Sequence, residues 1–560
     1  KLFVAELKEI SHKYRSNIQY FIFKSIILRN LYGVDIMQEA TEIAKLRLFL
    51  KLVAVVEVDS RAPNLGLDPL PDIDFNIRCG NTLVGYANET ELEHDLTFGD
   101  MFANAELKQK VEEEMDKVAL AYNVFKDIQL YQHEDMASFK TAKHELANRL
   151  KKLNKVLNQK MYSSNNTVSS SHGGNTYEQW FSSHQPFHWI AEFYQIIQRN
   201  GGFDVLIGNP PYVVYTEGKS KYKIGSSYRT KECANLYAFC IERSQSIANK
   251  DKRFGMIVPN SCISADKLAQ AQNLICNDTT WISNYAWRPS KLFDGANMLL
   301  AIIISTPSSN NYNSIYSSKY YRWNNEERKE LFKQINFNDA TKLRIKGSIP
   351  KIPTELCFGI ITKLAYKQHS LNQEFCEIKS NNYLFYFRAV LYWFKILDKV
   401  PIFKEDGMSK QTGEMKKVYF DSEEKKNIII STLSSNLYYL YYTLWSSCQV
   451  VNSRDFKMPF DIASVNKNDR LLLSTCGKRL QQDYQNNSRI VTRKYSSKGR
   501  NFIMEKQYFY IKKSKSIIDE IDKLLAKHYG FTEEELDFII NYDIKYRMGD
   551  ELNDEEKEED

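Results

Sequence analysis

The chain has 560 residues, 43% of them hydrophobic and 26% charged. That is too long for one core and ordinary in composition for folded domains, so two to four domains are expected. No stretch has the length and polarity of a membrane span, the first residues carry no secretory pattern, and the nine cysteines include no Cys-x-x-Cys pair; a membrane protein, a disulfide scaffold and a zinc module are all unexpected, and a reducing cytoplasm fits. The net charge of +7 hides an asymmetry: the last twelve residues, Gly549 to Asp560, carry eight acids and one lysine, which leaves about +14 on the rest.

In chain order, Leu31 to Ile36 reads as a buried strand ending in the acid Asp35. The apolar positions Ile43, Leu46, Leu48, Leu50 and Val53 then predict a well-buried helix. Asp74 to Leu83 is a second short strand ending at Gly80-Asn81, after a proline-bearing loop. Phe102 to Leu157 is charged and periodic and predicts two or more exposed helices, a helical hairpin inserted in the sheet. Ser163 to Asn175 is a low-complexity loop, and Phe203 to Gly208 is a short apolar run expected as a buried parallel strand. Tyr215 to Lys231 is polar and basic and reads as a mobile loop; further strands are expected at Phe254 to Asn260 and Leu299 to Ser305. From about Asn336 the alternation of strand and helix gives way to a mixed, tyrosine-rich region.

The most informative residues are Asn209-Pro210-Pro211-Tyr212. Two prolines cannot continue the strand before them, because both lack the ladder N–H and have fixed φ. The chain is forced into a rigid turn at the strand's carboxyl end, the edge of α/β sheets where ligands sit. The turn offers an amide side chain, a proline carbonyl with no neighbouring N–H and a flat ring, which together suit an exocyclic amino group on a planar base. Asp35 at its strand end can take a ribose diol, although an acid there is commonly a helix cap. Between Arg470 and Lys515 twelve Lys or Arg face only Asp483 and Glu505. Arg489, Arg493, Lys494, Lys498 and Arg500, interleaved with Tyr484, Tyr495, Phe502 and Tyr508, read as a phosphate-binding surface.

Asn209 to Tyr212 resembles the catalytic motif of amino-group methyltransferases that use S-adenosylmethionine, above all N6-adenine DNA methyltransferases. Several blocks in order resemble the TaqI-like enzymes of bacterial restriction–modification systems, of type IIG-like architecture: Tyr32 to Ile36, Glu42 to Leu48, Cys79 to Leu83, Asn209 to Tyr212, Asn235 to Phe239, Gly255 to Asn260 and, further on, Val451 to Phe456, Ile517 to Ile521, Tyr529 to Glu533 and Asn541 to Tyr546. The resemblance implies an α/β fold, a partial Rossmann-like methyltransferase sheet with a helical insertion, followed by a mixed α+β target-recognition domain. The implied partition is 1–100 and 201–335 for the methyltransferase sheet, 101–200 for the insertion and low-complexity loop, 336–515 for target recognition, 516–548 for a helical segment and 549–560 for an acidic disordered tail. It implies Asn209, Pro210, Pro211 and Tyr212 as catalytic, Tyr212 and Phe293 as the faces between which the target base stacks, and Asp35, Ile36, Cys79 and Asn81 as cofactor contacts. Double-stranded DNA is the implied partner. The family's glycine-rich turn after an acidic strand does not occur among these residues, so it is expected upstream of Lys1, together with any nuclease domain. Two other readings stand beside this one: a methyltransferase acting on a protein glutamine amide, and a DNA-binding fragment without activity.

Overall fold

The structure, a computed structural model, describes residues 17–61, 65, 67, 69–96, 101–131, 136–166, 176–225, 227–308, 313–345, 347–410, 413–497 and 500–549. Lys498, most of the low-complexity loop and the acidic tail lie outside the described residues. The chain forms two compact units, Lys1–Phe254 and Gly255–Asp560. Both mix helix and sheet.

In the first unit, α1 (Ile18–Asn30) leads to β1 (Gly33–Asp35), α2 (Gln38–Val53) and β2 (Ile77–Cys79). The two strands are parallel, with Gly33 opposite Ile77 and Asp35 opposite Cys79, so their carboxyl ends coincide. Helix α2 is not the well-buried helix expected. Leu52 is buried, with Ala44 and Leu48 against the same apolar cluster as Ile27, Leu28 and Ile77. Ile43, Leu46 and Leu50 lie on the other side and are 57%, 56% and 60% exposed. A helix of 3.6 residues per turn cannot turn both sets toward one cluster.

Helix α3 (Glu89–Leu96) is followed by the long pair α4 (Met101–Tyr131) and α5 (Met136–Asn166), which stand in the chain between β2 and the next strand. Each buries one stripe at helical spacing, Val111, Met115 and Val118 on α4 and Leu146, Leu150, Leu153 and Leu157 on α5. They are thus half-buried partners around a shared core rather than exposed helices. Helix α6 (Tyr177–His184) opens on a Thr176–Gln179 capping box.

The segment from Gln185 to His188 is tied to the β2 turn. Asn81 N–H donates to the Gln185 carbonyl (2.8 Å), and Phe187 N–H to that of Val84 (2.7 Å). Gly85 has φ +127°, and a Cβ there would lie 2.1 Å from the Phe187 carbonyl oxygen, so the approach requires glycine. Beside it, the buried Arg243 donates to both Glu91 oxygens (2.8 and 2.9 Å), to the Tyr228 hydroxyl (2.9 Å) and to the Gly85 carbonyl (3.1 Å), so its charge is paired and its fork filled.

His188 is buried next to this cluster. Tyr86 N–H donates to its Nδ1 (3.1 Å), which places the ring proton on Nε2, donated to Asn158 Oδ1 at 2.9 Å. Burial first, and the Arg243 charge second, push its pKa down from the usual 6.5 to about 3. The unfolded chain therefore takes up a proton that the folded unit refuses. The resulting stability is complete above about pH 6.5 and is lost as pH falls toward 3, at up to ~1.4 kcal/mol per pH unit. Urea unfolding at pH 7, 6 and 5 should show this slope, and His188→Gln should flatten it.

Strand β3 (Phe203–Gly208) comes next, then α7 (Leu236–Ile247) and β4 (Ala248–Pro259), within which the chain passes to the second unit. β3 neighbours β4 and is an edge strand. The expectation of a buried strand is corrected: Val205 and Ile207 are 64% and 87% exposed, and only Phe203 at the strand's start and Leu206 on the opposite face pack, partly buried, against the cluster of Phe193, Ile197 and Ile247.

In the second unit, β4 is followed by α8 (Ala269–Ile275), β5 (Thr279–Tyr285), β6 (Leu300–Thr306), β7 (Ile315–Tyr321) and β8 (Asn338–Asp339), in the order β4-β6-β5-β7-β8. β5 runs antiparallel to β6 and parallel to β7, so the sheet is mixed. Beyond α9 (Leu356–Ala365), β9 (Asn382–Phe387), β10 (Ile396–Leu397), β11 (Phe403–Glu405), β12 (Met408–Ser409) and β13 (Met415–Phe420) contribute to two small sheets. One has the order β10-β9-β13; the other, β12-β11-β15-β14, includes the long ribbon of β14 (Ser488–Ser497) and β15 (Arg500–Phe509). Helices α10 (Glu423–Ser434), α11 (Asn436–Trp445), α12 (Lys467–Asn486), α13 (Lys515–Tyr529) and α14 (Glu533–Asn541) supply the remaining core. Asp522 of α13 caps α11 by accepting from the Asn436 and Leu437 N–H groups (3.1 and 3.0 Å). α13 ends at Gly530, whose φ of +69° is the left-handed cap conformation.

Candidate active site

The Asn209–Tyr212 turn leaves β3 as soon as the strand ends. Asn209 and Pro211 are exposed, Pro210 is buried and Tyr212 is half-buried. The Tyr212 hydroxyl donates to Asn209 Oδ1 at 2.6 Å, so the two side chains of the turn bond each other. Burial pushes the Tyr212 pKa up to about 12, which keeps this hydroxyl a donor at neutral pH. Sequence reasoning assigned each of these side chains a role and did not foresee that they bond one another. The spacing i, i+3 across a diproline turn is the signal that could have indicated it.

The segment after the turn is anchored rather than a free loop. Tyr215, Ile224 and Tyr228 are buried in an apolar cluster with Leu83 and Phe239. Ile224 N–H donates to the Tyr215 hydroxyl (3.0 Å), and the buried Glu242 carboxylate accepts from the Arg229 and Thr230 N–H groups (2.9 and 2.8 Å). Residues 216–221 are the more exposed stretch between these anchors.

Three of the four expected cofactor residues meet where β1 and β2 end. Asp35 stands opposite Cys79, whose thiol donates to the Ile36 carbonyl at 3.6 Å. Burial, and then the Asp35 charge beside it, raises the Cys79 pKa and keeps the thiol neutral. Asp35 is exposed, and its Oδ1 accepts from Met37 N–H at 2.8 Å, a turn two residues long that precedes α2; the helix starts from Met37 with no side-chain cap, so Asp35 does not cap it. Asn81 is set apart: it is buried, and its Oδ1 accepts from Leu83 N–H at 3.1 Å. Its buried Nδ2 meets no acceptor in hydrogen-bonding geometry, with the Tyr222 hydroxyl nearby as the group it faces. An exposed carboxylate at a parallel strand end, an exposed Ile36 and a buried amide with an unused donor fit a nucleoside ligand.

Phe293 belongs to the second unit and is 37% exposed. The β14–β15 ribbon separates the expected cationic residues by strand alternation. Arg489 and Arg493 share one face, Lys494 lies on the other, and Arg500 is paired with Glu405 and Asp406 at 3.3 and 3.0 Å. Among the described residues no cluster of His, Cys, Asp and Glu could hold a metal ion, and no helix is long and apolar enough to cross a membrane.

Residues 29–293 match the family model described as Eco57I restriction-modification methylase. A putative type II restriction enzyme and methyltransferase of Methanocaldococcus jannaschii is 29% identical over 367 residues, 58% of this chain. The chain spans about 30% of the length of that curated relative. Among solved structures, the type IIL restriction-modification enzyme MmeI in complex with DNA is 12% identical over 98% of this chain and 77% of its own, with a TM-score of 0.39. The ATP-dependent type ISP enzyme LlaBIII bound to DNA is 10% identical over 69% of this chain and 40% of its own, with a TM-score of 0.28. The matched span 29–293 takes in both the Asp35 strand end and the Asn209–Tyr212 turn, and over it this chain is similar to restriction-modification methylases.

Proposed function

We propose that this protein transfers a methyl group from S-adenosylmethionine to N6 of adenine in DNA, as the modifying part of a restriction–modification system. The observation that carries the reading is the exposed Asn209 amide at the end of β3, its oxygen already engaged by a donor from the Tyr212 ring. A base amino group is a donor of the same kind and takes the place of that hydroxyl. Asn209 Oδ1 and the Pro210 carbonyl then accept the two N6 hydrogens, which draws the nitrogen toward pyramidal geometry and localises its lone pair. Tyr212 stacks on one face of the base. Asp35 would hold the ribose hydroxyls of the cofactor, and Ile36, Cys79 and Asn81 would hold its base. When bound, S-adenosylmethionine supplies an electrophilic methyl on sulfonium. The protein's contribution is orientation and electrostatics, with no covalent intermediate on the enzyme. The target adenine has to leave the duplex to reach this turn. Residues 336–515, with Arg489, Arg493, Lys494, Lys498 and Arg500, are assigned to DNA recognition.

The test is transfer of labelled methyl to duplex DNA, with nucleoside digestion to identify N6-methyladenine, run beside a protein acceptor. Label on glutamine in protein, or on cytosine, would overturn the assignment. Within this reading Tyr212→Phe keeps the ring and frees Asn209 Oδ1, so transfer is retained. Tyr212→Ala removes the stacking surface and should lower kcat/KM by about ten- to a hundredfold, as expected for ~1–3 kcal/mol of base stacking.

A further inference from the structure

A cavity of about 460 Å³ lies against one face of the β14–β15 ribbon, within the second unit. The ribbon register sets Tyr495 opposite Phe502, Arg493 opposite Met504, Val491 opposite Lys506 and Arg489 opposite Tyr508. Directly paired residues share a face, and the two-residue period keeps all eight on the same one. Tyr495, Met504, Lys506 and Tyr508 of that face line the cavity. On the other edge of β15, β11 places Phe403 opposite Lys506, and Phe403 lines it too.

The remaining wall carries rings that are fixed in advance. Tyr392 and Trp393 are 5% and 8% exposed. Trp393 Nε1 donates to the Arg547 carbonyl at 3.0 Å, and the Arg547 guanidinium lies 3.9 Å over its ring. The Arg322 guanidinium lies 4.6 Å over Tyr392. Rings held in this way lose little freedom when a ligand arrives. Among the described residues that line the cavity, the charged groups are Arg288, Lys395, Lys506 and Lys512 and the carboxylate of Glu414.

Rings alone would suit any flat apolar ligand, and cations alone any anion. The two together, in a volume within the range of small-ligand sites, suit a planar base attached to a phosphate. We propose that this cavity binds one unstacked nucleotide, its base among the rings of Tyr495, Phe403 and Trp393 and its phosphate against Lys395 and Lys506. Arg489 and Arg493 continue the positive charge along the same face, where the neighbouring phosphates of a strand would run. The nucleotide comes either free or as an unpaired residue of a DNA strand; only the second source rests on the DNA reading above.

The test is calorimetric titration of the whole chain with deoxynucleoside monophosphates, beside a duplex carrying one extrahelical nucleotide and its fully paired counterpart. The wild-type protein should bind the monophosphate about tenfold or more tightly than the corresponding nucleoside, or prefer the extrahelical duplex over the paired one by a similar factor. The first result assigns the free nucleotide and the second the strand. Tyr495→Ala and, independently, Lys395→Ala should each weaken that binding at least about fivefold with an unchanged circular dichroism spectrum. No saturable binding in either arm would overturn the proposal, as would binding that neither substitution changes. Because the methyl-transfer assay reads Asn209 and this titration reads Tyr495 and Lys395, either assignment can fail without the other.

Discussion

Asn209→Ala is expected to lower methyl transfer to duplex DNA by about 10²- to 10³-fold, the usual cost of removing one preorganised hydrogen-bond partner from a reacting group. The loss should fall on the chemical step, read as single-turnover transfer in an active preparation, with equilibrium DNA binding largely intact. The geometry explains why the effect is confined. Asn209 is exposed, and its oxygen bonds only the Tyr212 hydroxyl among the described partners, so truncation opens no core cavity. The double variant Asn209→Ala/Tyr212→Phe should bind DNA like the single variant and transfer no better. Unchanged turnover in Asn209→Ala would remove the assignment.

What could be read in the sequence follows from how local each signal is. The diproline after Gly208 dictates a strand end and a turn whatever packs around it, and β3 stops at that point. The stripes on α4 and α5 were legible because helical spacing is set within a few residues. That each stripe has a partner depends on residues far along the chain, and exposure was misjudged there. Helix α2 and strand β3 show the opposite failure. Their apolar residues read as buried, yet Ile43, Leu46, Val205 and Ile207 face solvent because hydrophobicity reports a preference and not a neighbour. The cations between Arg470 and Lys515 were visible as composition. Their division between ribbon faces required the β14–β15 register, which composition does not carry. The Asn209–Tyr212 bond and the pairing of Arg500 with Glu405 and Asp406 are likewise matters of placement.

Gly477→Ala should be the more damaging substitution for the fold, although alanine is the better helix former by ~1 kcal/mol in an exposed helix. Gly477 sits in the middle of α12, and a Cβ there would lie 2.2 Å from the Asn427 carbonyl oxygen and 3.0 Å from its carbon. Both belong to the backbone of α10, so no rotamer change relieves the contact. The two helices are also tied at this level by the Ser431 hydroxyl, which donates to the Leu473 carbonyl at 2.7 Å. Ile428, Leu473 and Leu480 around the contact are fully buried. Moving the helices apart by the ångström or so that a methyl needs would stretch that bond and open gaps beside those side chains. Overpacking of this kind costs typically ~1–3 kcal/mol and more where backbone is involved, which outweighs the gain in propensity. A net loss of about 2 kcal/mol or more, or a fall in Tm of roughly 4–8 °C, is expected in thermal unfolding. Gly359→Ala in α9 is the informative contrast. There the nearest atom to an added Cβ is Glu535 Oε1 at 2.4 Å, the end of a side chain, and the next is 3.6 Å away, so the neighbour can give and the loss should be smaller. Equal effects from the two glycines would mean that the α10–α12 contact relaxes freely, and that the close backbone approach does not hold this core in place.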